Sequence, residues 1–388
     1  MEKQNNTPRL RFPEFTGDWV EKTLGDSFDE RNDRNRGDLP LLSLGEEGLS
    51  YQSETTRKDN SNADKSKYLR VAVGDIAYNT MRMWQGRCVY VDKEGIVSPA
   101  YTVCQPKPGI DSRFHFYLFK TDRMIQLFRQ NSQGLVSDTL NLKFEPFSKI
   151  KYLLPPTLAE QEKIASVLME ADAMIAAQGQ KVDALKDKKK GLMLQLFPQD
   201  GETTPRFRFP GFTGEWMEMK LGEVLDYEQP TKYLVDGDNY KTSGTPVLTA
   251  GKSFILGYTD ETEGIYTDLP VIIFDDFVTE SKYVTFPFKV KSSAIKMLKL
   301  LDPQKNNLRV VYEVMKMLKY PVKEHKRYWI SEYSKQTILL PPTSKEQQKI
   351  ATCLSEFDSI IASESAKLEA LKDHKKGLMQ QLFPQPAK

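Results

Sequence analysis

The chain is written twice, and that limits its fold more than any other feature of its sequence. Residues 9–26, RLRFPEFTGDWVEKTLGD, return at 206–223 as RFRFPGFTGEWMEMKLGE, identical at 11 of 18 positions without a gap. Residues 153–199 return at 339–385, identical at 30 of 47. The offset falls from 197 to 186 between the two, so the stretches enclosed, 27–152 and 224–338, differ in length. They show little similarity to each other. Ends that are kept while middles diverge describe two half-molecules with one frame and two faces, related by a pseudo-two-fold.

The second repeated segment reads as a long helix. Apolar residues at Ile164, Leu168, Ala171, Ile175, Val182, Leu185, Leu192 and Leu196 alternate steps of four and three, with Gln178 and Lys189 interrupting. The second copy runs Ile350, Leu354, Phe357, Ile361, Leu368, Leu371, Leu378 and Leu382, interrupted by Glu364 and Lys375. Pro-Pro-Thr precedes each helix and Phe-Pro stops it. About 34 residues at 1.5 Å each make a rod of roughly 50 Å. The natural cover for such a stripe is its own copy. An antiparallel pair with residue numbers summing to 553 sets Lys189 against Glu364 and Gln178 against Lys375, and these polar pairs are expected to fix the register.

The chain has 388 residues, enough for two ordinary cores. Its division is expected as a first recognition domain (1–152), a spacer helix (153–199), a second recognition domain (200–338) and a second helix (339–388). Both heads read as mixed α/β (α+β). Cys88, Cys104 and Cys353 have neither disulfide nor zinc spacing, and no run is apolar enough to span a bilayer or lead export, so a cytoplasmic protein is expected. A net charge of +2 does not by itself announce a nucleic-acid binder.

Local composition says more. Asn79, Arg82, Trp84, Gln85 and Arg87 crowd YNTMRMWQGR; Arg129, Asn131 and Gln133 lie in RQNSQG; Lys323, His325, Lys326, Arg327 and Tyr328 lie in KEHKRYW. Arginine suits guanine, asparagine and glutamine suit adenine, and lysine suits phosphate. Catalytic signatures are missing: no phosphate loop, no GxGxxG, no HExxH. Asp275-Asp276 with Glu280-Ser281-Lys282 faintly resembles a Mg²⁺ nuclease cluster, but the first half has no counterpart. No catalytic or metal-binding residue is therefore assigned.

Two variable heads between repeated segments, with EQEKIA and EQQKIA opening long helices and RFPEF and RFPGF opening each half, resemble the specificity subunit of type I restriction-modification systems. The resemblance covers the whole chain. It implies that each head reads one half of a bipartite site in double-stranded DNA and that the helices set the gap. It also implies two methyltransferase subunits on the repeated regions and separate restriction/translocase subunits, these partners carrying S-adenosylmethionine, ATP and Mg²⁺. Docking would then include Glu160, Gln161 and Lys163 with Glu346, Gln347 and Lys349. Two other classes stay open: a two-headed scaffold that binds proteins, and an autonomous nuclease.

Overall fold

The computed structural model describes residues 6–45, 48–56, 58–59, 61–134, 136, 139–237, 239–251, 253–318, 320–321 and 326–384. Two helices dominate, Leu158–Leu196 and Ser344–Leu382, each of 39 residues, about 58 Å long. They start where the sequence places them because Thr157 and Thr343 cap them: each hydroxyl accepts from the backbone N–H three residues on, Glu160 and Glu346, at 3.3 Å. Every expected stripe position, Gln178, Lys189, Glu364 and Lys375 included, is buried or half-buried. The middle stays half-buried because a helix pair covers only one side of each rod.

Contacts divide the chain into two compact units, Met1–Gln180 with Ser365–Lys388, and Lys181–Glu364. Each unit thus takes one head with half of each long helix. Within each unit the halves run antiparallel, but not in the expected register. Lys189 Nζ lies 2.6 Å from Asp358, Lys375 Nζ 2.5 Å from Asp172, and Lys181 rather than Lys189 meets Glu364, at 3.0 Å. The first two pairs sum to 547, not 553, and they exchange when the copies exchange. Leu196 falls in one core with Ile350 and Leu354, not with Phe357. The stripe lysines do not seek an acid on the facing stripe. Each bends to the flank, where the partner helix and the head bring charge together: Lys189 also approaches Glu313, and Tyr117 donates to Asp172 at 2.7 Å.

The variable stretches, unlike in sequence, build one frame. In the first head the strands Phe28–Glu30, Tyr101–Pro106, Ile76–Asn79 and Cys88–Tyr90 lie in that order, all antiparallel. In the second head Leu225–Glu228, Ile295–Leu300, Val271–Asp275 and Ser281–Val284 do the same. Each head is closed by a ribbon at the edges of the repeated segments, Val20–Thr23 on Lys151–Leu154 and Met217–Lys220 on Thr337–Leu340, in matching register. Two helices follow the sheet of the first head, Ser112–Leu118 and Asp122–Asn131, with Thr121 capping the second. The second head has a single helix there, Leu308–Met317.

A buried clamp joins each head to its long helix. Arg11 forks onto Glu160 with two bonds of 2.8 Å, and Trp19 Nε1 donates to the same carboxylate at 3.1 Å. Arg208 forks onto Glu346 at 2.7 and 2.8 Å. Next in sequence, Gln161 and Gln347 accept from the N–H of Asp111 and Asn307, the residues that cap the head helices, at 3.0 and 2.7 Å. All four helix residues are 0–2% exposed. Glu160, Gln161, Glu346 and Gln347 are therefore corrected from docking surface to interior: a carboxylate at this depth is held by its arginine and presents nothing outward. Arg11→Ala leaves that carboxylate buried with only the indole, and a loss of about 3 kcal/mol in urea unfolding is expected; a loss under about 1 kcal/mol would refute the clamp.

One polar cluster distinguishes the heads. His115 Nε2 lies 2.8 Å from Tyr152 Oη, whose hydroxyl also contacts Ser27, and His115 Nδ1 lies 2.8 Å from the Asp111 carbonyl. A neutral ring donating from Nδ1 and accepting at Nε2 satisfies both contacts. The corresponding positions in the second head, taken from the repeat offsets and the shared helix cap, are Val311, Ile338 and Val224, all buried. A hydrogen-bonded trio is replaced as a set by an apolar one, since losing one member would orphan the others. Burial pushes His115 down from 6.5 to about 4. The unfolded chain thus binds the proton first, and stability falls as pH drops from about 6.5 toward 4, by on the order of 3 kcal/mol. The triple variant Ser27→Val, His115→Val, Tyr152→Ile is expected to lose that part of the slope in melts taken across this range.

Candidate nucleic-acid interface

Two of the polar clusters singled out in the sequence, some 45 residues apart, meet in the first head. After the strand Ile76–Asn79 the chain makes a turn that ends in the short helix Met83–Gln85. Asn79 Oδ1 accepts from Met81 N–H at 2.9 Å, and the Trp84 indole N–H donates to the Met81 carbonyl at 3.1 Å, which pins the ring. The helix Asp122–Asn131 lies beside this turn, and the Arg129 guanidinium stands 5.9 Å over the Trp84 ring. Gly86 closes the turn with φ +72°, and a Cβ there would meet Ile125 of that helix at 3.1 Å. Gly86→Ala is accordingly expected to cost about 1–2 kcal/mol in thermal unfolding and to weaken any ligand that needs Arg82 and Arg129 together.

Arg82, Gln85, Arg87, Arg129 and Gln133 are exposed. Asn131 is half-buried and spends its amide on the Leu127 carbonyl at 2.9 Å. Beneath the turn lies a cleft of about 300 Å³ lined by Asn79, Arg82, Arg87, Tyr101 and Lys120. Reading the sequence missed Lys120 and Tyr101, because only the fold brings the strand Tyr101–Pro106 and the end of Ser112–Leu118 to this edge. Four other arginines of this head are held by acids: Arg31 by Asp75, Arg36 by Asp38, Arg70 by Asp33 and Glu94, Arg113 by Asp111. Among the described residues Arg82 and Arg129, like Arg34 and Arg123 elsewhere in the head, pair with none.

The second head departs from expectation. Lys323 and His325 lie outside the described residues. Tyr328 is 1% exposed, within the core beside Trp329, so it is corrected from contact residue to core: its ring is worth more as buried area than as a surface reader. Lys326 pairs with Glu332 at 2.7 Å, which among the described residues leaves Arg327 as the exposed charge of this cluster. The faint nuclease pattern is structural. Asp275 accepts from the N–H groups of Phe277 and Val278 in a turn, and Asp276 lies 3.3 Å from Lys296 while accepting from Trp329 N–H at 2.6 Å. This hairpin, which matches the arginine-bearing turn of the first head in sheet order, borders a hollow of about 220 Å³ lined by Glu280, Lys316 and Tyr320.

The repeated helices keep an outer face clear of the stripe. Lys163 and Lys349, of the expected docking residues, do lie on the surface, each ammonium over a ring of the repeated RFP segment, Phe12 at 5.6 Å and Phe209 at 5.8 Å. Further along, Met169, Met174 and Ile360 are 41–56% exposed. Beside Ile360, a groove of about 710 Å³ runs between the second helix and its head, lined by Tyr283, Arg309, Ala351, Ser355 and Ser359. Among the described residues no helix is long and apolar enough to cross a membrane.

Comparison with known proteins agrees with this geometry. The family model described as type I restriction modification DNA specificity domain matches twice, at residues 16–187 and 213–373. The chain is 47% identical over 173 residues to a type I restriction enzyme specificity subunit of Escherichia coli, covering 42% of each chain. To a specificity subunit of Methanocaldococcus jannaschii it is 25% identical over 229 residues, 56% of this chain and 51% of that one. The chain thus spans about half the length of these curated relatives. In three dimensions it is similar to the S subunit of a type I restriction-modification system from M. genitalium, at 15% identity and a TM-score of 0.64, covering 98% of this chain and 100% of that one. A chain from a study of complex assembly and conformational transition in a type I system gives a TM-score of 0.53 at 13% identity, over 96% and 99%.

Proposed function

From the chain's membership of the type I restriction-modification DNA specificity family, we propose that it is the sequence-reading subunit of such a complex, each head binding one half of a bipartite site in double-stranded DNA. The observation that carries this is the repeat: one frame built twice, with a tryptophan-braced arginine turn on the first head and a hairpin without arginine or tryptophan at the matching edge of the second. Two edges built from such different side chains do not read the same word. Asn79, Arg82, Gln85, Arg87, Arg129 and Gln133 are the contact candidates of the first head, and Arg327 is one for the second.

Two methyltransferase subunits dock along the outer faces of the long helices, around Lys163, Met169 and Met174 and around Lys349 and Ile360, where apolar side chains stand in water. They bring S-adenosylmethionine, while restriction/translocase subunits bring ATP and Mg²⁺. This chain carries out no covalent step itself, and the complex works in the cytoplasm. Near-neutral charge suits a subunit whose partners share the hold on DNA.

The test is to co-express the chain with the methyltransferase subunit of its own system and to map adenine methylation across a genome. A two-part motif with a constant gap is expected, and exchanging residues 27–152 for another first head is expected to rewrite one part only. A stable complex that leaves no motif would instead favour a scaffold that binds proteins.

A further inference from the structure

The arginines of the first head do not stand alike, and the difference sorts them by what they meet. Arg82 and Arg87 line a concave cleft with Lys120 and Asn79. A base pair in a duplex shows its edge at the floor of a groove, so it is reached by a side chain that projects. A hollow lined with cations instead receives the convex sugar-phosphate backbone. Arg129 projects. It stands in the last turn of its helix and is exposed, with its guanidinium carbon 5.9 Å from the centre of the Trp84 ring.

Three further observations set Arg129 apart. The indole beside it is itself fixed by the Met81 carbonyl, so the guanidinium meets a ring that is held in place. The end of the helix does not need the guanidinium, because Asn131 and Ser132 already donate to the carbonyls of Leu127 and Phe128, at 2.9 and 2.7 Å. No acid among the described residues takes its charge. The cation–ring contact restrains the guanidinium without using its N–H groups, and a restrained fork matters only to a partner that presents two acceptors at fixed spacing. Guanine does so in the major groove, with O6 and N7.

Resting on the reading of this chain as a DNA-sequence subunit, we infer that Arg129, oriented by Trp84, reads a guanine in the half-site of the first head, while Arg82, Arg87 and Lys120 seat a backbone phosphate and specify nothing. Trp84 is a positioning residue: it touches the arginine, not the DNA.

The test uses the full chain in complex with its methyltransferase subunits, with genome-wide methylation mapping and DNA affinity measured over a range of salt. Arg129→Lys keeps the charge and removes the fork. It is expected to relax one G·C position in the half-motif that follows residues 27–152, with methylation at substituted sites rising about tenfold or more, the other half and the gap being unchanged. Trp84→Leu is expected to relax the same position more weakly. Arg82→Ala is expected to leave the motif intact and to lower the slope of log affinity against log salt by about one. An Arg129→Lys complex with an unaltered motif would overturn the assignment, as would a first half-motif without a G·C pair. If the unaltered chain itself gives no motif, the functional reading fails first and this inference with it.

Discussion

Everything else in the molecule hangs on a carboxylate placed three residues past a helix cap. Glu160 and Glu346 sit in the first turn of the long helices, where the helix dipole favours a negative charge. At that depth they would be untenable without an arginine. The arginine comes from the short segment that opens each half, and its remaining N–H groups reach the Thr16 and Gly17 carbonyls in one copy and Thr213 and Gly214 in the other. One ion pair thereby gathers the entry segment, the start of the rod and, through the neighbouring glutamine, the cap of a head helix. It explains why those few residues recur while most of each head does not.

Within that frame the heads have diverged in consistent sets rather than one residue at a time. Ser27, His115 and Tyr152 answer to Val224, Val311 and Ile338. On the flank of the rod, Tyr117 donates to Asp172, whereas in the second unit Arg309 and Lys189 both hold Asp358. Burial pushes the Asp358 carboxyl upward, but the hydrogen bonds from Lys189 and Arg309 outweigh it and the group ends below its ordinary range. In both units the stripe lysine holds this acid, Lys375 on Asp172 and Lys189 on Asp358, and the head adds a neutral hydroxyl in one unit and a guanidinium in the other. The exposed edges differ in the same manner, with arginine and tryptophan on one side and a hairpin that has neither on the other.

Much of this was legible in the sequence, for identifiable reasons. Repeats and heptad stripes are periodic signals, and the burial of the long helices follows the stripe position by position. The register was not legible, because it depends on Glu313 and Arg309, residues of a head that the helical pattern does not contain. The kinship of the two heads was hidden too: a sheet of short strands is specified by alternating burial, which many sequences satisfy. Charged and aromatic residues near a turn were a fair guide where the fold brought two such clusters together, at Trp84 and Arg129. They misled where the aromatic was needed inside, at Tyr328. The EQ pairs were noticed for good reason but given the wrong task, since sequence alone does not distinguish a carboxylate that faces a partner from one that faces an arginine 149 residues away.

The backbone bond from Leu10 N–H to the Gln381 carbonyl, at 3.0 Å, has its counterpart in Phe207 and Gln195, at 2.9 Å. In chain order these two joints are unlike. The second entry segment follows its helix end by about a dozen residues, so both have been made before the second head is begun. The first entry segment waits for the end of the second long helix: Trp19 and Phe114 pack against Phe383, and Leu382 fills the same core. During synthesis the first head to leave the ribosome is therefore the last to close. Until residue 383 emerges, an aromatic pocket made near the beginning stays open to water, and the second head can be complete while the first is still unsealed.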